Sequence, residues 1–180
     1  MKRKETIKFI AVNAILSALT AVLTFIPIPI GNLNLNLGLI PIAIAAVLYG
    51  VKSGLFVGFV NGICVLISPA TLQFFFPISP IGTIVVCLSK SMLAGLICAL
   101  MYNLIKNKND YVGVVLGTLL VPFINTSVFI IGSLIFFEGI FGELITAFVT
   151  ANLAIEFVIN ILFAPSVYVI VKQYRNKQKS

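Results

Sequence analysis

Asn152-Leu-Ala-Ile-Glu156-Phe-Val-Ile-Asn160 sets one carboxylate and two amides in a run otherwise built from Ala, Ile, Leu, Phe and Val. The spacing is i, i+4, i+8. On an α-helix this puts the three polar side chains on one face, about 40° apart per step. The apolar run around them extends over about 143–171, long enough to cross a bilayer. An acid at such a depth costs about 2.5–3.5 kcal/mol to insert. Some partner must offset that cost.

The rest of the 180-residue chain is of the same kind. It is 60% hydrophobic and 9% charged, with a mean hydropathy of +1.15. Soluble domains carry about 25% charged residues, so this chain lacks the polar residues to coat a water-facing surface. It reads as an all-α polytopic membrane bundle forming a single domain over 1–180. Its net charge of +7 does not point to nucleic acid. Most basic residues sit at the ends and in one short connection, which is a topology signal. Cys64, Cys87 and Cys98 fall in apolar runs without C-x-x-C spacing, and there is no His. Neither a disulfide framework nor a metal site is expected, and no cofactor.

Six spans are expected, over about 7–26, 36–50, 53–68, 80–105, 111–137 and 143–171. The first has basic flanks like a signal peptide. It lacks a small-x-small cleavage site before Pro27 and Pro29, so it reads as a retained helix. The second and third spans are short for a bilayer. Local thinning or packing against longer neighbours would absorb the mismatch. Gly50-Val-Lys52-Ser-Gly54 reads as a tight turn between them, and segments 27–37 and 68–79 read as uncharged loops. Numbering the two faces alternately puts the basic head, Lys52, Lys106 with Lys108 and the basic tail on one face. The other face holds the two uncharged loops and the Glu138 to Glu143 connection. The positive-inside rule then places both termini in the cytoplasm.

Counting from the span ends gives depths. Lys90 falls about 15 Å and Glu156 about 20 Å from the outer ends of their spans, and Asn125 lies at a similar level. An ion pair between Lys90 and Glu156 would offset much of the cost of both charges. The amides Asn125, Asn152 and Asn160 would complete a polar cluster. Two readings stand for it: a functional site, the default for intramembrane charges, or packing glue between helices. Ala14-x-x-x-Ala18 has small-xxx-small spacing and suits either internal packing or a helix contact. Phe74-Phe75-Phe76 suits either a lid over a ligand or an interfacial anchor. Gly50, Gly54, Gly58 and Gly62 recur every fourth residue and are expected to bring the second and third spans close.

The absences narrow the function. Without His there is no Ser–His dyad and no H-E-x-x-H. No Walker A sequence occurs, and the five acids are scattered. An enzyme is not expected. Transport without an ATPase of its own remains.

Several stretches together carry a family resemblance. Leu39-Ile-Pro41-Ile-Ala-Ile-Ala-Ala-Val-Leu-Tyr49-Gly50-Val-Lys52-Ser-Gly54-Leu-Phe-Val-Gly58 resembles the second and third spans of S components of energy-coupling factor (ECF) vitamin transporters. Leu88-Ser-Lys90-Ser-Met-Leu-Ala-Gly95 resembles part of the fourth span. Val121-Pro122-Phe-Ile-Asn125-Thr126 and the 152–160 stretch followed by Pro165 continue the order. The resemblance implies a substrate-binding subunit of a prokaryotic plasma membrane. It would capture a vitamin or related micronutrient and work with a transmembrane T component and two ATPase subunits. It also implies a pocket in the outer halves of the last three spans, from Lys90, Asn125, Thr126, Asn152, Glu156 and Asn160. The loop after the first span, with Asn32, Asn34 and Asn36, would cap it. Ala14 and Ala18 would face the T component. The most similar S components serve folate, riboflavin or pantothenate, and Lys90 would suit a substrate carboxylate. Two alternatives stand beside this reading: an autonomous secondary transporter or channel using Glu156, and a scaffold protein without a ligand.

Overall fold

A computed structural model describes residues 3–26, 29–30, 33–137 and 143–179. Among them the elements run α1 (Arg3–Thr24), β1 (Pro29–Ile30), β2 (Leu33–Asn34), α2 (Leu39–Tyr49), α3 (Val51–Leu66), α4 (Pro69–Phe74), α5 (Pro80–Ile105), α6 (Asp110–Phe136) and α7 (Glu143–Lys179). The fold is a helical bundle. β1 and β2 form only a two-residue antiparallel ladder, Pro29 opposite Asn34 and Ile30 opposite Leu33.

Among the described residues four helices are long and apolar enough to cross a membrane: Glu5–Thr24 in α1, all of α5, all of α6, and Ala151–Lys177 in α7. α2 and α3 are apolar but shorter, with 11 and 16 residues. At 1.5 Å per residue they measure about 16 and 24 Å. Packing absorbs the mismatch for α2. Leu39 and every residue from Pro41 to Val47 are buried, so its backbone is sheathed by α1, α3, α5, α6 and α7. Pro41 is tolerated because it sits in the first turn, where its missing N–H has no intrahelical partner to lose. The outward side chains of the long helices are large and apolar. Ile15 is 67% exposed, Ile81 74% and Leu104 75%, a surface that suits lipid rather than water.

Local chemistry sets the joints. Gly50 adopts φ +75°, a left-handed conformation that favours glycine, and so permits the abrupt α2–α3 turn. Ser79 caps α5 by accepting from the Gly82 N–H at 3.2 Å, ahead of Pro80 in the first turn. Asn109 caps α6 by accepting from the Val112 N–H at 3.1 Å.

Four sequence expectations change. Segment 68–79 holds a short helix, α4, where Ser68 and Pro69 start a turn. Segment 27–37 contains the β1–β2 ladder. Of the glycine stripe, Gly54, Gly58 and Gly62 face α5, with Gly54 also against Ala46 of α2. A Cβ at Gly54 would lie 2.6 Å from the Gly95 carbonyl oxygen, and one at Gly62 would lie 2.8 Å from that of Cys87. The stripe therefore lets the third and fourth spans approach backbone to backbone. Last, α7 continues through the basic tail to Lys179. Lys and Arg have good helix propensity, so nothing there ends the helix.

The start of α1, the α2–α3 turn, the α5–α6 hairpin and the end of α7 gather at one end of the bundle. Phe9 packs edge-on against Tyr49, with ring centroids 5.2 Å apart, and the Tyr49 hydroxyl meets that of Tyr174. Arg175 pairs with Asp110 at 3.0 Å and donates to the Val47 carbonyl at 3.2 Å. The Tyr102 hydroxyl donates to the same Asp110 at 2.6 Å. The opposite end is where the candidate site lies.

Candidate functional site

The site starts from the polar face of α7. Helical spacing does align Asn152, Glu156 and Asn160, and Glu156 and Asn160 are each only 2% exposed. Their roles differ. Asn152 donates through Nδ2 to Glu156 Oε1 at 3.2 Å. Asn160 turns the other way along the helix and donates to the Glu156 carbonyl at 2.8 Å. It lines a minor recess with Asn36 and Ile40 rather than the main cavity.

Glu156 Oε1 accepts a second bond, from the Asn36 backbone N–H at 3.0 Å. This contact reaches across 120 positions of sequence and ties the loop before α2 onto α7. Asn36 itself is shaped by a local turn, its Oδ1 accepting from the Gly38 N–H at 3.1 Å. Of the three asparagines expected in the capping loop, Asn36 borders the cavity described next. Asn32 lies outside the described residues, as does the Asn34 side chain.

Beside this contact lies a cavity of about 100 Å³. A water centre needs roughly 10–15 Å³, so the space exceeds what one or two waters fill. Lys90 of α5, Asn125 and Thr126 of α6, and Asn152 and Glu156 of α7 all line it. The structure thus brings five of the six expected pocket residues together. Thr24, Asn36, Thr71 and Phe75 line it as well. Asn125 and Thr126 are 5% and 4% exposed, one turn beyond the in-helix Pro122.

The expected ion pair does not form. Among the described residues the ion pair is Arg175–Asp110. The Lys90 ammonium lies over the Phe129 ring instead, 5.0 Å from its centroid. A cation over an aromatic face is held by the ring quadrupole. Depth counting places two residues at one height but leaves open the angle around the bundle. Here the two charged groups stand on different parts of one cavity wall. The cost of the buried carboxylate is offset by hydrogen bonds to Oε1, while Oε2 is buried and without a partner among the described residues. Asn125 Oδ1 and Asn152 Oδ1 are likewise buried and without partners.

The Phe run divides. Phe75 points to the cavity and stacks edge-on with Phe129 at 5.6 Å, whereas Phe74 and Phe76 are exposed. One ring thus fits the lid reading and two fit the anchor reading. Ala14 and Ala18 are exposed on α1, not buried among the described residues.

A buried network behind the cavity was not anticipated. Thr24 Oγ1 lies 2.9 Å from Asn61 Oδ1 and 3.4 Å from Asn36 Oδ1. Asn61 Nδ2 donates to Ser91 Oγ at 2.8 Å. Glu156, Asn36, Thr24, Asn61 and Ser91 thus connect α7 to the turn of α5 that carries Lys90. The available signal was Asn61, an amide in the middle of an apolar span.

Comparison with known proteins gives one family. A family model described as ECF transporter, substrate-specific component, matches residues 8–179. No curated protein and no solved structure matches the chain.

Proposed function

This chain belongs to the substrate-specific components of ECF transporters, and we propose that it captures a vitamin or related micronutrient in the cavity beside Glu156. The family is one of transporter subunits, not of enzymes. The observation that carries the proposal is the cavity itself. It gathers an ammonium, a carboxylate and buried amides from three helices, and a loop hydrogen-bonded to the carboxylate borders it. In this reading Lys90, Asn125, Thr126, Asn152 and Glu156 contact substrate. Asn160 braces the helix behind them, and the Asn32 to Asn36 loop caps the site.

Six crossings with both termini in the cytoplasm accompany the proposal. Lys8, Lys52, Lys106, Lys108, Lys172 and Arg175 then share the cytoplasmic face, as positive-inside asymmetry requires of a prokaryotic plasma membrane protein. The cavity opens toward the outer face, the side from which an importer takes its substrate. Delivery inward uses a T component and two ATPases, since no Walker A sequence is present here. The exposed Ala14 and Ala18 supply a smooth strip on α1 for the T component to approach closely.

Native mass spectrometry of the purified full chain tests the capture step. A co-purified small molecule, released on denaturation, is the expected result. Liposomes holding the chain alone should not accumulate that molecule on an ion gradient, whereas adding the ATPase module should start uptake. Gradient-driven accumulation by the chain alone would overturn the reading.

A further inference from the structure

The polar groups of the cavity are of two opposed kinds. Lys90 offers three N–H donors and makes no hydrogen bond or ion pair to an acceptor among the described residues; its recorded contact is the Phe129 ring. Among the residues of α6 and α7 that line the cavity, the unpartnered atoms are acceptors, Glu156 Oε2, Asn152 Oδ1 and Asn125 Oδ1, while on the bordering loop Asn36 Nδ2 is a buried donor without a partner among the described residues. The Asn152 amide is oriented by its bond to Glu156 Oε1, so its oxygen is the end left over. A buried acceptor without a donor is costly, and more so when charged. A cation and an anion in one low-dielectric cavity ordinarily pair directly, yet these stay apart. An anionic ligand without donors would satisfy Lys90 and crowd oxygen against oxygen at Glu156. A cationic ligand without an acceptor would do the reverse at Lys90.

We infer that the ligand of this cavity is bipolar: a carboxylate pairs with Lys90, and an ammonium or amino group donates to Glu156 and Asn152. Phe75 and Phe129 flank the apolar middle of such a molecule. The inference rests on the capture reading and adds the ligand's chemistry to it. Glu156 then contacts substrate directly and does not act as a holder for Lys90.

Three probes built on one para-substituted ring separate the alternatives: 4-(aminomethyl)benzoate, 4-methylbenzoate and 4-methylbenzylamine. Calorimetric titration uses the purified full chain in detergent. The bipolar probe should bind at least tenfold tighter than either single-charge probe. In Lys90→Met its advantage over 4-methylbenzylamine should vanish while its advantage over 4-methylbenzoate survives. Glu156→Gln should give the opposite pattern. That crossed pattern also guards against misfolding, which would remove both advantages together. Equal binding of the three probes, or binding of none, overturns the inference. Tight binding of 4-methylbenzoate alone, abolished by Lys90→Met, overturns bipolarity while leaving the capture reading intact. The capture reading itself fails on the separate mass spectrometry and uptake outcomes.

Discussion

Gly54→Ala places a single methyl group in the seam between α3 and α5. Its Cβ would sit 2.6 Å from the Gly95 carbonyl oxygen and 3.0 Å from the carbonyl carbon. The escape route is closed as well, because Ala46 Cβ of α2 would lie 3.1 Å away on another side. Neither neighbour is the end of a flexible chain: one is helical backbone, the other a methyl on a fully buried helix. Reaching ordinary contact at about 3.4 Å or more requires a backbone shift of nearly an ångström, and close-packed interiors resist such shifts. Overpacking of this kind costs about 1–3 kcal/mol, and a two-sided clash belongs at the upper end. Alanine gains back about 1 kcal/mol in helix propensity over glycine. The net loss is therefore about 2 kcal/mol. At about 2–4 °C per kcal/mol for a chain of this size, the midpoint falls by about 4–8 °C. Gly117→Ala is the matched control. Its Cβ would meet nothing nearer than the Cys98 carbonyl at 3.3 Å, so propensity should dominate and the midpoint should hold or rise. Thermal unfolding of both variants in the same detergent checks the pair. A Gly54→Ala midpoint at or above that of Gly117→Ala would refute the assignment of the stripe to the α3–α5 seam.

Two further outcomes follow from the rest of the bundle. Arg175→Ala removes a pair to Asp110 whose side chains are 34% and 39% exposed; it should cost about 1 kcal/mol or less from the ion pair, and thermal scans should show this difference shrinking as salt rises. Ala18→Trp adds bulk to an exposed strip of α1; ligand binding by the isolated chain should persist while uptake with the T component and ATPases collapses, as paired binding and vesicle uptake assays would report.

Much of the site could be read from the sequence because charge and apolarity settle it locally. Lys90, Asn125, Thr126, Asn152 and Glu156 stand out as polar groups within long apolar runs, and counting from the span ends puts Lys90, Asn125 and Glu156 at similar heights. The structure adds the azimuth. Height alone paired Lys90 with Glu156, yet the ammonium faces Phe129 and the carboxylate is held by Asn36 and Asn152. A period of four glycines announces a close approach but not toward which helix. Residues 50–62 border α2 in sequence and α5 in space. Thr24, Asn61 and Ser91 cannot be joined into a network from the sequence for a related reason. Each is an ordinary polar residue until its partner on another helix is known, and that partner comes 30 or more positions away.

α7 grips α2 at two levels. Near the cavity, Glu156 holds the Asn36 N–H, three residues ahead of α2. At the far end, Arg175 reaches the Val47 carbonyl and Tyr174 meets Tyr49. The two anchor points on α7 are 175 − 156 = 19 residues apart, about 28 Å along a helix. α2 behaves as a rung bolted at both ends to a longer rail. A tilt of α7 cannot leave α2 behind, and slack at the upper bolt transmits to the lower one. A molecule that pulls on Glu156 thereby loads the α2 contacts at the opposite end of the bundle, through the stretch of α7 that carries Pro165.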